Sequence, residues 1–336
     1  MKFSVGYQMS NRKFLDDIIK NKEHIEEVFF SFGDFPNGRN IQTQQDIPSF
    51  KAMELQLSDL ALLNDNGIKF NLLFNGNCYG ADSLSRSFFE KVGETTDYIK
   101  ETFNLSSVTT TSPVIAKFIK SNFADIQTRA SVNMNVGSIT GMDYISEYFD
   151  GYYMKRELNR NFPKIKELSE WCKENGKTLH ILANSGCLNN CSAHTFHDNL
   201  VAHESEIAKR DNCYDFHGIC HEYLKNPEKR ISLIRDVSYI RPEDTHLYEN
   251  YFSSMKLATR VSDKPSLILN SYIRGNYSGN ILELLEPNHA PRIYPHAIDN
   301  KKLSNENLFC DKNCRECMCC AYTYKKACIN IEEWKN

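Results

Sequence analysis

Between Cys187 and His221 the chain carries four cysteines, Cys187, Cys191, Cys213 and Cys220, and five histidines, His194, His197, His203, His217 and His221. A Cys-x3-Cys pair followed by two later thiols is a donor set for an iron–sulfur cluster or for a zinc ion, and only the cluster offers redox chemistry. An isolated cysteine is often no more than a small buried hydrophobe. Imidazoles, however, carry donors and acceptors that a core must satisfy, so thiols and imidazoles clustered together read as a metal site. The histidines individually read as groups around the ligands or on the surface rather than as ligands themselves.

A second concentration lies near the C-terminus, where Cys310, Cys314, Cys317, Cys319, Cys320 and Cys328 fall within nineteen residues. Of these, Cys310, Cys314, Cys317 and Cys320 are the candidate ligands of a further metal. Cys310, Cys314 and Cys317 have the Cys-x3-Cys-x2-Cys spacing of radical-SAM enzymes, but in those enzymes the thiols follow the first barrel strand. Here they come after the last, so a structural zinc or an auxiliary cluster is the expectation.

The elements that must position these groups alternate along the chain. Short apolar, β-rich runs occur at 3–7, 28–32, 70–74, 106–110, 127–132, 151–154, 179–183 and 255–258, and amphipathic stretches at 14–24, 52–65, 113–122 and 162–175 lie between them. Strand then helix, repeated, is the pattern of a parallel sheet, and eight such strands predict an α/β fold, a TIM-like (β/α)8 barrel. Ser112-Pro113 and Asn161 with Pro163 read as helix starts, and Asn175-Gly176 as a helix end. The expected organisation is a barrel over 1–285 with a Cys/His-rich insertion, 187–236, after strand 7, and a Cys-rich extension over 286–336. A long connection inside a compact domain is usually functional.

In such a barrel the strand C-termini face the substrate. That rule selects Gln8, Asn75, Cys78, Thr110, Asn133, Arg156, Glu157, Asn159, Asn184, Lys256 and Arg260. Arg156 beside Glu157 could orient or deprotonate a bound acid or hydroxyl, and Lys256 with Arg260 could hold an anion or offset thiolate charge. Asn75 and Asn184 are the candidate cofactor contacts.

A formal charge of -3 recruits neither nucleic acid nor an acidic membrane through a global field. The first residues lack the apolar run of a signal peptide, and no 18 apolar residues follow one another, so a soluble cytoplasmic protein without membrane partners is expected. In a reducing compartment, twelve cysteines of which ten lie after residue 186 read as metal ligands rather than disulfides.

The run HILANSGCLNNCSAHTFH behind YYMKRELN, followed by YIRPED, KLATR and NYSGN, resembles the unassigned-type peptidase family 32, the collagenase-like peptidases, over roughly residues 1–285. The resemblance implies a TIM-like barrel whose cysteine insertion holds a [4Fe-4S] cluster. It points to the members that act in oxygen-independent hydroxylation of ubiquinone and of transfer or ribosomal RNA, so the peptidase name implies little about the reaction. By the same resemblance Cys187 and Cys191 match the Cys-x3-Cys pair, while Cys213 and Cys220 match by position alone, with Cys78 as a substitute ligand. The Cys-rich tail is outside the family pattern and would bind its own metal, a second cluster or zinc. Some members act in pairs, which implies a paralogous or electron-donor protein partner.

Three functions follow. The first is an iron–sulfur oxidoreductase acting by oxygen-independent hydroxylation on a small molecule, RNA or peptide. The second is a metal-dependent hydrolase, although Gly-x-Ser-x-Gly and His-Glu-x-x-His are both absent. The third is a non-catalytic partner that lends its cluster to another protein.

Overall fold

The computed structural model describes residues 1–39, 49–305, 314 and 317–334. Its centre is a ring of eight parallel strands: β1 (Lys2–Gly6), β2 (Ile25–Phe30), β3 (Phe70–Phe74), β4 (Leu105–Thr110), β5 (Gln127–Ala130), β6 (Gly151–Tyr153), β7 (Thr178–His180) and β8 (Ser254–Leu257). They neighbour one another in the order β7-β6-β5-β4-β3-β2-β1-β8. The ring closes just beyond β7, where the Lys256 amide donates to the Ile181 carbonyl at 2.9 Å and the Ala183 amide to the Lys256 carbonyl at 2.9 Å. The predicted (β/α)8 barrel is the observed fold.

Strand β3, FNLLF, is buried at every position, as a strand covered on both faces must be. Around the ring run α1 (Arg12–Lys20), α2 (Ser49–Asp65), α3 (Arg86–Thr102), α4 (Pro113–Asn122), the short α5 (Ile139–Asp143) and α6 (Phe162–Glu174). Helix α6 shows why they stand where they do. It buries Ile165, Leu168, Ser169 and Cys172, one stripe at helical spacing, against the strands. The Asn161 side chain accepts from the Lys164 amide at 3.1 Å to start it, and Gly176, at φ +63°, supplies the left-handed turn that follows it. Burial of one such Ile or Leu contributes roughly 1.5–3 kcal/mol and a cap about 1 kcal/mol, so the stripe fixes the packing and the cap fixes the end.

The connection from β7 to β8 holds α7 (His194–Ala202), α8 (Glu204–Ile207), α9 (Ile219–Tyr223) and α10 (Ser232–Arg235), then a 3-10 segment, Pro242–Tyr248. After β8 come α11 (Pro265–Arg274), α12 (Ala290–Ile293), β9 (His296–Ile298), α13 (Cys319–Ala327) and β10 (Cys328–Asn330), the two strands pairing antiparallel. No helix among the described residues is long and apolar enough to cross a membrane.

Inside the barrel a polar group replaces the usual aliphatic layers. Arg129 on β5 donates to both oxygens of Glu27 on β2 at 2.8 Å. Asn71 donates to the same carboxylate at 2.9 Å and the Ser107 hydroxyl at 3.3 Å. Burial opposes ionisation of Glu27, but Arg129 and these donors outweigh it and hold the carboxyl below its ordinary range.

Candidate functional site

Beyond the Glu27–Arg129 group, the C-terminal strand ends enclose a cavity of about 80 Å³ whose walls include Arg39, Asn75, Asn133, Arg156, Ser185, Lys256, Arg260 and Glu286. Four cations face one carboxylate. Arg39 pairs with that carboxylate, Nε to Oε1 of Glu286 at 3.2 Å. Lys256 and Arg260 are each 9 % exposed and form no ion pair within 4.0 Å among the described residues. Desolvation, with the nearby charge of Arg260, lowers the Lys256 ammonium to about 7. Desolvation and the charge of Arg39 lower Arg260 to about 9.

A second cavity, of about 370 Å³, opens beside the first, under the β7–β8 connection. Its lining includes Cys187, Cys191, Cys220, His194, His197 and His217, and it shares Arg39, Val261 and Glu286 with the barrel mouth. Local sequence brings the thiols here. Gly186 packs so closely on the Pro287 carbonyl that a Cβ at this position would collide with it, and its amide donates to the Glu286 carbonyl at 2.7 Å. This anchors the chain immediately before Cys187. Gly218, at φ +92°, turns the chain into α9, which carries Cys220.

Arg156 joins the two cavities. Its Nη1 donates to the Cys187 thiol at 3.2 Å and lies 3.1 Å from His194 Nε2, while Nη2 donates to Asn133 Oδ1 at 3.1 Å. The same Nε2 faces the Arg156 guanidinium and the Asp198 carboxylate, which pull on its proton in opposite directions. Burial and Arg156 lower its pKa, although Asp198, 3.3 Å away, pulls in the other direction. Burial and Arg39 lower His197 likewise. Burial pushes the Cys220 thiol up against the pull of Arg292, and Cys187 and Cys191 lie close enough to push it further.

The sequence-selected residues divide accordingly. Arg156, Lys256, Arg260 and Asn75 line the mouth, and Cys187, Cys191 and Cys220 line the adjoining cavity. Glu157 lines neither, and its Oε2 is buried with no hydrogen-bond partner among the described residues. Asn184 is fully buried and clamps backbone: it donates to the Ala258 and Leu284 carbonyls at 3.1 and 2.8 Å and accepts from the Ala258 amide at 2.7 Å. Its amide holds the mouth together and does not face it. Cys213 is exposed and lines neither cavity; Cys78, half-buried, lines neither as well. In the tail Cys314 and Cys317 are exposed and Cys320 is half-buried; Cys310 lies outside the described residues. Among the described residues no three His, Cys, Asp or Glu side chains converge as closely as a single metal ion requires.

Sequence reasoning passed over Arg39, Glu286 and His289. Arg39 ends the turn-rich run Gly33-Asp34-Phe35-Pro36-Asn37-Gly38 behind β2, a βα loop whose composition marks it as mouth-forming. His289 is fully buried, with Nε2 2.9 Å from the Gly186 carbonyl, and burial beside Arg292 lowers it to about 4.

No protein-family model matches the chain, and no curated protein matches it. Among solved structures it is similar to a U32 peptidase, Mk0906, at 14% identity and a TM-score of 0.53, over 76% of this chain and 91% of that one. Looser likenesses include a phosphodiesterase of Oleispira antarctica in complex with sn-glycerol-3-phosphate, at 14% identity and a TM-score of 0.38, over 62% of this chain and 97% of that one. A member of the enolase superfamily from Salmonella Typhimurium is similar at 9% identity and a TM-score of 0.38, over 80% and 58%. The fold is therefore U32-like; at these identities the likeness is one of fold alone.

Proposed function

We propose that the chain is an iron–sulfur enzyme whose cluster is held by Cys187, Cys191 and Cys220 beside a cationic substrate mouth, and that it carries out a redox modification, oxygen-independent hydroxylation being the reaction class the family resemblance implies. The observation that carries this reading is the shared wall. The Cys187–Cys191 pair and Cys220, from a later helix, line one cavity, and that cavity has Arg39 and Glu286 in common with the barrel mouth.

The donor set suits a cluster better than a lone ion. Thiols around a cavity of about 370 Å³ leave room for a polynuclear group, whereas a zinc ion draws its donors to within about 2.3 Å. A fourth ligand would come from an imidazole of the same lining, His194, His197 or His217, or from Cys213 if residues 208–218 fold inward. A thiolate-held cluster supplies one-electron chemistry at a potential tuned by hydrogen bonds to sulfur and by solvent access.

The chain's own groups have definable tasks. Arg156 donates to the Cys187 sulfur and fixes it relative to Asn133, so one side chain sets both thiol position and mouth shape. Arg260 attracts an anionic substrate into a site with few competing carboxylates. Glu286 orients Arg39 at the boundary. Neutral His194 and His197 accept protons or donate lone pairs at neutral pH without adding charge.

Iron, acid-labile sulfide and EPR spectra of anaerobically purified protein test the reading. Cys187→Ser, Cys191→Ser and Cys220→Ser are each expected to lose the iron and sulfide. Zinc bound at these thiols without sulfide would overturn it.

A further inference from the structure

Lys256 is a buried amine that the redox reading leaves without a chemical role. It projects from β8 into the mouth cavity, and its Nζ lies 3.9 Å from the centroid of the Phe29 ring and 4.9 Å from that of Tyr153. No carboxylate lies within 4.0 Å of it among the described residues. The nearest candidate in the barrel, Glu27, has both oxygens on Arg129 at 2.8 Å, with Asn71 and Ser107 completing its shell. A lysine walled by aromatic rings, with Glu27's charge reaching it only from beyond ion-pair distance, is a poor structural cation, because burial outweighs that attraction. The same features suit a nucleophilic amine.

The surroundings also specify what would meet it. Arg260, 9 % exposed, lines the same cavity, and its hydrogen bond to Ser31 Oγ is long, at 3.4 Å. Arg39 lines the same cavity, close enough for its charge to act on Arg260, and two guanidiniums suit a planar anionic group. At about 80 Å³ the cavity has room for several waters, or for a small molecule in their place.

We propose that Lys256 forms an imine with a small aldehyde or ketone that carries an anionic group, with Arg260 and Arg39 holding the anion. The neutral amine adds to the carbonyl carbon; a C–N bond forms, and the carbonyl π pair moves to oxygen, which takes up a proton. Loss of water from the carbinolamine then leaves the protonated imine, so that amine, carbonyl and one proton give an iminium and one water, with no oxidant or reductant. Burial and the charge of Arg260 supply the neutral amine: at pH 7.5 a lysine lowered to about 7 is mostly deprotonated, whereas an ordinary lysine is neutral to about one part in a thousand. The rings favour the cation by cation–π attraction, and desolvation prevails over them.

The proposal rests on the barrel mouth being the substrate site and is independent of what the thiols hold. The full chain, purified both with and without its metal, is incubated at pH 7.5 with glyoxylate, with glycolaldehyde phosphate, or with neutral glycolaldehyde, each with cyanoborohydride, and the reduced adducts are mapped by peptide mass spectrometry. Lys166 and Lys225, both well exposed, serve as internal references. At least one anionic carbonyl is expected to label Lys256 about ten-fold or more above the references, with or without metal, and Lys256→Met to remove that adduct. Glyoxylate and glycolaldehyde phosphate together show whether a carboxylate or a phosphate is preferred. Label confined to the exposed lysines, or Lys256 labelled as well by glycolaldehyde as by both anionic probes, overturns the proposal. If Lys256→Met does not fold, the wild-type map alone decides. Labelling of Lys256 in a protein that binds no iron would sink the redox reading and leave this one standing.

Discussion

Glu27 and Lys256 lie on one rung of the barrel, each paired with Ser4 of β1 from opposite sides, and they are charged under opposite conditions. Glu27 is 1 % exposed and is met by one guanidinium nitrogen that reaches both its oxygens and by two further donors. Lys256 is 9 % exposed and is met by two aromatic rings. The first arrangement holds a barrel together, because a buried ion is tolerated when its partners are fixed. The second leaves a reactive group at the mouth, where substrate rather than protein would complete its shell. Stability and chemistry thus sit on one rung of the barrel, on the strands to either side of β1.

The largest effect should come from breaking the matched side. Glu27→Gln leaves Arg129, 8 % exposed, buried without its carboxylate, and is expected to cost about 3–5 kcal/mol of unfolding free energy. Urea denaturation measures it. A loss under about 1 kcal/mol would mean that the two sides of the rung do not differ in the way described.

On the unmatched side the sign should reverse. Lys256→Met replaces a desolvated amine by an apolar side chain of similar length, and is expected to raise stability by about 1–3 kcal/mol at pH 7 while removing whatever reaction the mouth performs. Destabilisation by the same substitution would show Lys256 to be a structural cation after all.

A pH series refines the point. The folded-state pKa of Lys256 lies at about 7, below its ordinary value of 10.5, so between those values the unfolded chain binds more protons and stability rises with pH. The penalty is complete below pH 7. The lowered histidines His194, His197 and His289 act only below about pH 6.5, and the raised thiols Cys172 and Cys220 oppose the trend only above about pH 9. From pH 7 to 8.5 the unfolding free energy should therefore climb, Lys256 contributing at most about 1.4 kcal/mol per unit, and in Lys256→Met the slope should fall to the smaller rise left by Lys177, lowered by burial, and by the onset of Arg260, lowered to about 9.

Most of this architecture was legible because strand ends and periodicity are local properties. Strand β3 and helix α4 fall at the predicted limits, and the other six strands before β8 and β8 itself lie within three residues of theirs. Helix α3 escaped notice because its buried face is Val92, Thr96 and Ile99, with a threonine, donating to the Val92 carbonyl at 2.7 Å, where an aliphatic residue would mark the stripe. Of the residues picked by the rule that strand ends form the mouth, Arg156, Lys256, Arg260 and Asn75 line the cavity. The rule misplaced Asn184 for a physical reason: an amide one residue beyond the Lys256 bridge has backbone groups on both sides to satisfy, and it does so. Arg39 and Glu286 were hidden because they meet across 247 residues of chain, and no local pattern encodes such a meeting.

The smallest effect concerns the thiols, and it sharpens the same contrast between groups that line a site and groups that only lie near it in sequence. Cys213 and Cys220 match the family pattern equally by position, but Cys220 lines the cavity and Cys213 is exposed on a stretch without regular structure. Cys213→Ser should change stability by less than about 0.5 kcal/mol, as surface substitutions do, and should leave the iron content as it is. Cys220→Ser removes a thiol whose neighbours include Cys187 and Cys191, and should take iron and sulfide with it. Parallel iron and sulfide assays on the two variants decide the matter. If Cys213→Ser loses as much iron as Cys220→Ser, residues 208–218 fold inward when metal binds, and the ligands are four thiols of the insertion; if it loses none, the fourth ligand is one of the imidazoles already facing the cavity.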